Sequence, residues 1–393
     1  MMKIIHICLN GPYTEGWGYQ DNILPKYHKL SGNDVTVVTT RYAHAPSGKL
    51  ITLEPCTYIT EYGVKIVRVK PKHVQSKKLK KLMQLYPVYE ILINEHPDFI
   101  MVHGFIGSLS ELDVKKYKKR INKNCTIVAD LHQDYYNNPK TKLSFKSYLI
   151  QEFYKVQNRF MYRYYDRIFC ITPESMRFAR EHYNAPQEKL ELLPLGYDSQ
   201  MLEHADRVEI RARIRRKYNI AENDVLIVHG GKIIPIRKTP ETIDAVAALN
   251  KHNIKLIVFG AVSEDCATAI SERVSKYSSW LIYTGHLQQK DYYELYIASD
   301  IAVFPGGQSA IWQEAIGCGL PLLICDVQGV GYLDRGGNVK FIKDAAIVSI
   351  RDGLEEMLKD NAFKKMSEVA KSVAANYFSY RRIADQVLAV RKM

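Results

Sequence analysis

No stretch of apolar residues in the 393-residue chain approaches the ~20 needed to cross a bilayer. The longest, Ile301 to Phe304 and Leu320 to Cys325, have the length of buried strands. A membrane-spanning protein is excluded. The opening Met1-Met2-Lys3 runs directly into Ile4-Ile5-His6-Ile7-Cys8-Leu9, too short for a signal h-region and without a small-residue cleavage site, so it reads as a first strand. The seven cysteines are odd in number and lie far apart, mostly in apolar runs such as Ile168-Phe169-Cys170-Ile171. That usage suits reduced, packed thiols of a cytoplasmic protein rather than a disulfide framework or a zinc site. The chain has no Asp-x-Asp, no His/Cys cluster at metal-ligand spacing, no internal repeat and no low-complexity tract. Acidic residues are in deficit, 42 against 55 Lys and Arg, and the resulting +13 is uneven: residues 1–198 carry +10 and the remainder +3.

What is present is an ordinary folded composition, 46% hydrophobic and 25% charged. At roughly 150 residues per domain the length gives two or three domains. Short β-branched runs alternate with longer helical patterns from end to end, the signature of parallel sheets with crossover helices, so the fold class is α/β. Strands are expected near 3–9, 35–39, 64–69, 98–103, 125–130, 167–172 and 189–193, and again near 225–229, 255–259, 280–284, 301–304, 322–325 and 338–342. Helices are expected near 18–30, 76–95, 144–165 and 173–183, then 240–251, 265–276, 290–298, 310–318, 352–358 and 362–375. Each half holds a full doubly wound set, which two Rossmann-like domains explain better than one very large sheet. The boundary is expected at Leu193-Pro194-Leu195-Gly196-Tyr197-Asp198, giving domains 1–198 and 199–379, with a terminal helix over 380–393. The arginine-rich 206–217 reads as a solvated helix. Open α/β sheets bind ligands at the carboxyl ends of their strands, so a cleft between two such domains is the expected site.

Asp300 to Pro321 is the most informative segment. It reads as a strand, the loop Pro305-Gly306-Gly307-Gln308, a Ser309 N-cap, a helix from Ala310, a Gly319 stop and the next strand. Such a turn offers backbone N–H groups to a phosphate, and Glu314 lies where it could accept hydrogen bonds from ribose hydroxyls or simply complement the helix dipole. A second loop, His229 to Pro240, sets Lys232, Arg237 and Lys238 at a strand's carboxyl end, where a diphosphate needs fixed cations.

Together these segments resemble the GT-B glycosyltransferases of the large retaining family called family 4, over almost the whole chain. The first-strand loop with Gly11, Gly16 and Gly18 is similar to the family's glycine-rich loop facing the donor's phosphates. Leu195 to Asp198 resembles its interdomain segment, and Lys232 and Lys238 match its basic pair. Leu281 to His286 matches the strand-end segment whose backbone faces the base, and Glu314 matches the second glutamate of its E-x7-E motif. The first glutamate of that motif is missing: its position is Gly306, leaving Gln308 or the Gly306 and Gly307 amides to fill the place.

The resemblance implies a fold of two Rossmann-like domains facing a cleft. It also implies transfer of a sugar from a nucleotide-sugar donor to an acceptor hydroxyl of a glycan or lipid-linked glycan, with retention. His132, at the end of Thr126 to Leu131, matches the family's sugar-side histidine and is the catalytic candidate. His103 is a weaker acceptor-side candidate, while His6 and His229 read as structural. The donor site is then Gly16, Gly18, Lys232, Arg237, Lys238, His286, Gly307, Gln308, Ser309, Ala310 and Glu314. No cofactor and no obligatory metal are expected, the leaving diphosphate being met by Lys232, Lys238 and helix N–H groups.

The lysines of 77–81, with Leu79, Leu82, Met83 and Tyr86, suit either a helix on an anionic membrane surface at the inner face or a core helix with a solvated face. The aromatic 144–165 reads as packing rather than an acceptor groove. A noncatalytic GT-B subunit binding a partner or glycan is the alternative that Gly306 keeps open. A sugar-nucleotide epimerase lacks identifiable acid and base residues, and a nucleic-acid partner is suggested by charge alone.

Overall fold

The computed structural model describes residues 1–45, 48–72, 85–104, 110–136 and 145–390. The chain divides into two compact units, Met1–Pro194 with Ile383–Met393, and Leu195–Arg382. The division falls after Pro194 rather than Asp198, because Tyr197 is stitched to the second unit's last helices: its N–H donates to Phe378 O (2.9 Å) and its carbonyl accepts from Tyr380 N (3.1 Å). The terminal helix starts at Tyr380 as expected and runs to Ala389, and from Ile383 the chain belongs to the first unit; there Gln386 Nε2 donates to Glu191 Oε1 (2.8 Å) and Leu192 O (3.1 Å).

The first unit contains β1 (Lys3–Cys8), β2 (Asp34–Thr40), β3 (Tyr42–His44), β4 (Leu50–Thr52), β5 (Cys56–Ile59), β6 (Lys65–Val69), β7 (Phe99–Val102), β8 (Thr126–Leu131), β9 (Arg167–Cys170) and β10 (Leu190–Leu192). Eight of these form one sheet in the order β10-β9-β8-β7-β1-β2-β6-β5, parallel except for β5 on β6; β3 and β4 pair as a separate hairpin. The central strands are apolar on both faces, as a sheet covered on both sides requires: every residue of β7 and β8 is buried. In-register pairing of His6 with Met101 and of Val102 with Ala129 brings the ends of β1, β7 and β8 level.

The second unit holds β11 (Val225–Gly230), β12 (Ile254–Phe259), β13 (Leu281–Tyr283), β14 (Ile301–Phe304), β15 (Leu322–Cys325) and β16 (Val339–Ile342). Its sheet, all parallel, runs β13-β12-β11-β14-β15-β16. The order reverses between β11 and β14, and the loops leaving that point are the expected ligand position of such a sheet. Two apolar clusters cover its faces, one centred on Val228, Phe304 and Trp312, the other on Ile227, Val303 and Leu323.

Three expectations change. The strands β3 to β5 and the helix Glu111–Arg120, which carries Lys115 to Arg120, were not foreseen; the strands are short and mostly exposed, so they lack an apolar signature. The arginine helix Arg207–Lys217 is not simply solvated. Arg215 is 2% exposed, and it and Arg211 hold Asp300 and the carbonyl of Ala298. On the helix Phe145–Met161, Tyr148, Phe153 and Phe160 are exposed rather than packed, whereas Tyr162 and Tyr165 beyond it are buried. The expected helix over 76–95 is described only as Val88–Glu95, and the lysines of 77–81 lie outside the described residues. Among the described residues no helix is long and apolar enough to cross a membrane.

Candidate functional site

Each unit presents a cluster at the carboxyl ends of its central strands. In the first unit Asp130, the penultimate residue of β8, is fully buried. Its Oδ1 accepts from Gly104 N (2.7 Å), and its Oδ2 lies 2.7 Å from His103 Nδ1 and 3.5 Å from His132 Nε2. Burial alone would push this carboxyl up, but His103 and His132 outweigh it and hold it well below the usual range. His132 itself is partly exposed; desolvation opposes its charge, yet Asp130 and then Asp21 raise its pKa above the ordinary histidine value. Asp21, at the start of the helix Gln20–Leu30, is pushed up by burial against the pull of the two histidines. Gly16, with φ 76°, and Gly18 lie in the loop leading to that helix. His103 is not free for an acceptor: it is 6% exposed and bonded on both nitrogens.

In the second unit the loops after β11 and β14 interlock. Arg237 Nη1 donates to Gly307 O and to Gln308 O (2.9 Å), and Gly307 N donates to Ile236 O (3.2 Å). Arg237 thus clamps the two loops through Nη1. Lys238, held at φ 60°, pairs with Glu241 (2.8 Å). Lys232 is exposed and, like Arg237, makes no ion pair among the described residues. His229 is structural, as expected: it bridges Val303 O (2.7 Å) and Thr239 Oγ1 (2.8 Å), and burial lowers its pKa to about 4. Gly260, at φ 133°, abuts the same loop so closely that a Cβ would lie 1.7 Å from Gly231 O.

The helix after β14 runs Ile311–Gly317, and its cap is Ala310 without a side-chain bond. Ser309 does not cap it, since its carbonyl rather than its hydroxyl meets Trp312 N (3.2 Å). Gln308 keeps a buried Nε2 that finds no partner among the described residues. Glu314 is 4% exposed and caged by the helix Gln289–Ala298: Gln289 Nε2 donates at 2.9 Å, Tyr292 OH at 3.1 Å to both oxygens, and Tyr293 OH at 3.5 Å. Burial raises its pKa to about 7 against these donors. His286 stands exposed beyond β13, after Gly285, whose carbonyl accepts from Gly260 N (2.7 Å).

The structure therefore gathers Lys232, Arg237, Lys238, Gly307, Gln308, Ser309 and Ala310 on two adjoining loops, with Glu314 on the helix that follows. Residues not singled out from sequence include Asp130, Gln289 and Tyr292. Asp130 had a signal, since its two-residue spacing from His132 along an extended chain puts both on one side. Gln289 and Tyr292 had none, because their role arises only where their helix meets Glu314.

Two parallel-stranded Rossmann-like units, each with a Gly-rich or basic loop set at its strand ends, make this a GT-B fold. The chain belongs to the glycosyltransferases: residues 24–200 match the Glycosyltransferase Family 4 model and residues 210–375 match Glycosyl transferases group 1. It is 26% identical over 178 residues, 44% of this chain and 47% of that protein, to the lipopolysaccharide glucosyltransferase WaaG of Escherichia coli. The chain spans about half the length of the curated relatives it matches. Among solved structures it resembles sucrose-phosphate synthase from Thermosynechococcus elongatus, with TM-score 0.69 and 15% identity over 100% of this chain and 98% of that one. It also resembles Anabaena HepE in complex with UDP and glucose, with TM-score 0.68 and 14% identity over the whole of both chains.

Proposed function

We propose that the chain transfers a hexosyl group from a nucleoside-diphosphate sugar to a hydroxyl of a glycan or lipid-linked glycan, with retention and without an obligatory metal. The observation that carries this reading is the pair of interlocked loops at the switch point between β11 and β14, with Lys232 unpaired there and a caged carboxylate, Glu314, on the next helix. A diphosphate needs a fixed cation and backbone donors, and a ribose needs an anchored acceptor. The loops supply the first two, and Glu314 supplies the third by exchanging a Tyr292 or Gln289 bond for ribose hydroxyls. HepE holds UDP and glucose, which makes UDP the first nucleotide to test, and WaaG's name makes a lipid-linked saccharide the first acceptor. His132 acts on the sugar, orienting it through hydrogen bonds. Cytoplasmic work at the inner membrane face is part of the same reading.

The test is calorimetric binding of UDP, GDP, ADP and TDP to the wild type and to Lys232→Ala. One diphosphate is expected to bind at micromolar level, and the variant to lose about 1–3 kcal/mol, the worth of a charge-assisted hydrogen bond. No binding by any of the four overturns the donor site. His132→Ala is then expected to lose turnover with nucleotide affinity retained. If the wild type binds nucleotide and shows no turnover with any donor, the noncatalytic subunit becomes the correct reading.

A further inference from the structure

Behind Asp130 lies a chain of buried hydrogen bonds that the transfer reaction does not by itself require. His28 Nε2 meets Ala384 O at 3.2 Å, His28 Nδ1 meets His6 Nε2 at 3.0 Å, His6 Nδ1 meets His103 Nε2 at 2.9 Å, and His103 Nδ1 meets Asp130 Oδ2 at 2.7 Å. His6 and His28 are 0% exposed and His103 6%, so water does not complete these contacts. Each contact needs one proton, and a carbonyl oxygen can only accept. Four contacts need four protons, and three neutral imidazoles carry three. The fourth proton must therefore reside within the cluster.

We infer that His28, His6, His103 and Asp130 form a four-proton relay whose extra proton rests on His103, and that the resulting imidazolium–carboxylate pair positions Asp130 against His132. The carbonyl of Ala384 forces the proton of His28 onto Nε2. With the extra charge on His103, His6 is then the Nε2–H form as well, and every contact has one donor and one acceptor. Placing the charge next to the only carboxylate in direct contact is the favourable choice, since an unpaired buried charge is costly and a paired, hydrogen-bonded one much less so. Burial supports it by disfavouring charge on the other two, lowering His28 to about 4 and His6 well below the ordinary value. The groups facing this pair are His6 and Cys8 of β1, Asp21 and His28 of the following helix, Cys170 of β9, and His132. Gly104 N fixes the other oxygen of Asp130, so the carboxylate can turn toward neither side. His103 and Asp130 are thus positioning residues, and their importance for transfer rests on the reading of His132 as the sugar-side group.

The test uses the full-length protein labelled uniformly with 13C and 15N, with each histidine's ring nitrogens assigned by through-bond correlation to its own backbone. At neutral pH His103 is expected to show the doubly protonated imidazolium pattern, with His6 and His28 neutral and protonated on Nε2. Removing the carboxylate in Asp130→Asn should move the His132 titration down by about one pH unit or more, as loss of an adjacent opposite charge does. His103→Gln should move it up, because Asp130 then faces His132 without a compensating cation. A packing role would not shift the midpoint in opposite directions. A neutral His103 in the wild type, or midpoints moving the same way in both variants, overturns the inference. The wild-type spectrum requires neither a variant that folds nor any turnover, so an inactive protein with an imidazolium at His103 overturns the catalytic reading and upholds the relay.

Discussion

Gly306→Ala is expected to lower the unfolding temperature of the second unit by several degrees while Gly307→Ala, one residue on, leaves it nearly unchanged. A Cβ on Gly306 would lie 2.4 Å from Ile236 O and 2.5 Å from Arg237 Cα, both backbone atoms that cannot swing aside. On Gly307 the nearest atoms are Ile236 Cδ1 and Cγ1 at 3.5 and 3.6 Å, an ordinary contact with a side chain. Forcing a methyl into a filled space costs about 1–3 kcal/mol, and separating the loops also weakens Gly307 N to Ile236 O and both Arg237 bonds. At about 2–4 °C per kcal/mol for a unit of this size, the loss is roughly 2–12 °C. Scanning calorimetry of the two variants decides it, and equal midpoints would show that the loops separate freely. The consequence for function is larger than a methyl group. In the resembling family a glutamate stands at this position, whereas here the Pro235–Arg237 turn occupies the space its stem would need. Gly306→Glu should therefore destabilise the unit rather than add a sugar contact, and its nucleotide affinity should fall with the displaced loops.

The alternation of β-branched runs with helical patterns made the two sheets legible, because strands buried on both faces have no polar positions to blur them: Val128, Ile257 and Val303 are all fully covered. The short strands β3 to β5 had no such signature. At the site, sequence could place Lys232, Arg237 and Lys238 on one loop but could not tell them apart. What separates them is partners distant in sequence or set by the turn: the carbonyls of Gly307 and Gln308 take Arg237, Glu241 takes Lys238, and Lys232 stands exposed with no ion pair among the described residues. His103 and His6 read as isolated strand histidines until the register of β1 on β7 brought their rings together. Gly306 was visible as a departure from a motif, yet the reason for it, a backbone turn from another loop, lies 70 residues away from Ile236 in sequence.

Glu314→Gln should make the protein more stable above neutral pH and a poorer binder of nucleotide. Burial raises the Glu314 carboxyl from the ordinary 4.5 to about 7. The folded state then holds its proton more tightly than the unfolded state, so between about pH 4.5 and 7 folding stability falls as pH rises. At 1.36 kcal/mol per pH unit, holding the ionised group in place costs about 3 kcal/mol above pH 7. The glutamine variant avoids that cost while its Oε1 can still accept from Gln289 and Tyr292. Its unfolding temperature should exceed the wild type's by roughly 6–12 °C at pH 8 and match it near pH 4.5. A carboxylate kept ionised at such expense needs a use, and ribose hydroxyls are donors that a charged acceptor holds better than an amide. The ratio of wild-type to variant affinity for the nucleotide should therefore be large at pH 8 and shrink toward one as pH falls through 7, with the nucleotide's own titration cancelling in the ratio. A variant that is more stable but binds equally well at every pH would leave Glu314 a strained structural residue and move the ribose elsewhere.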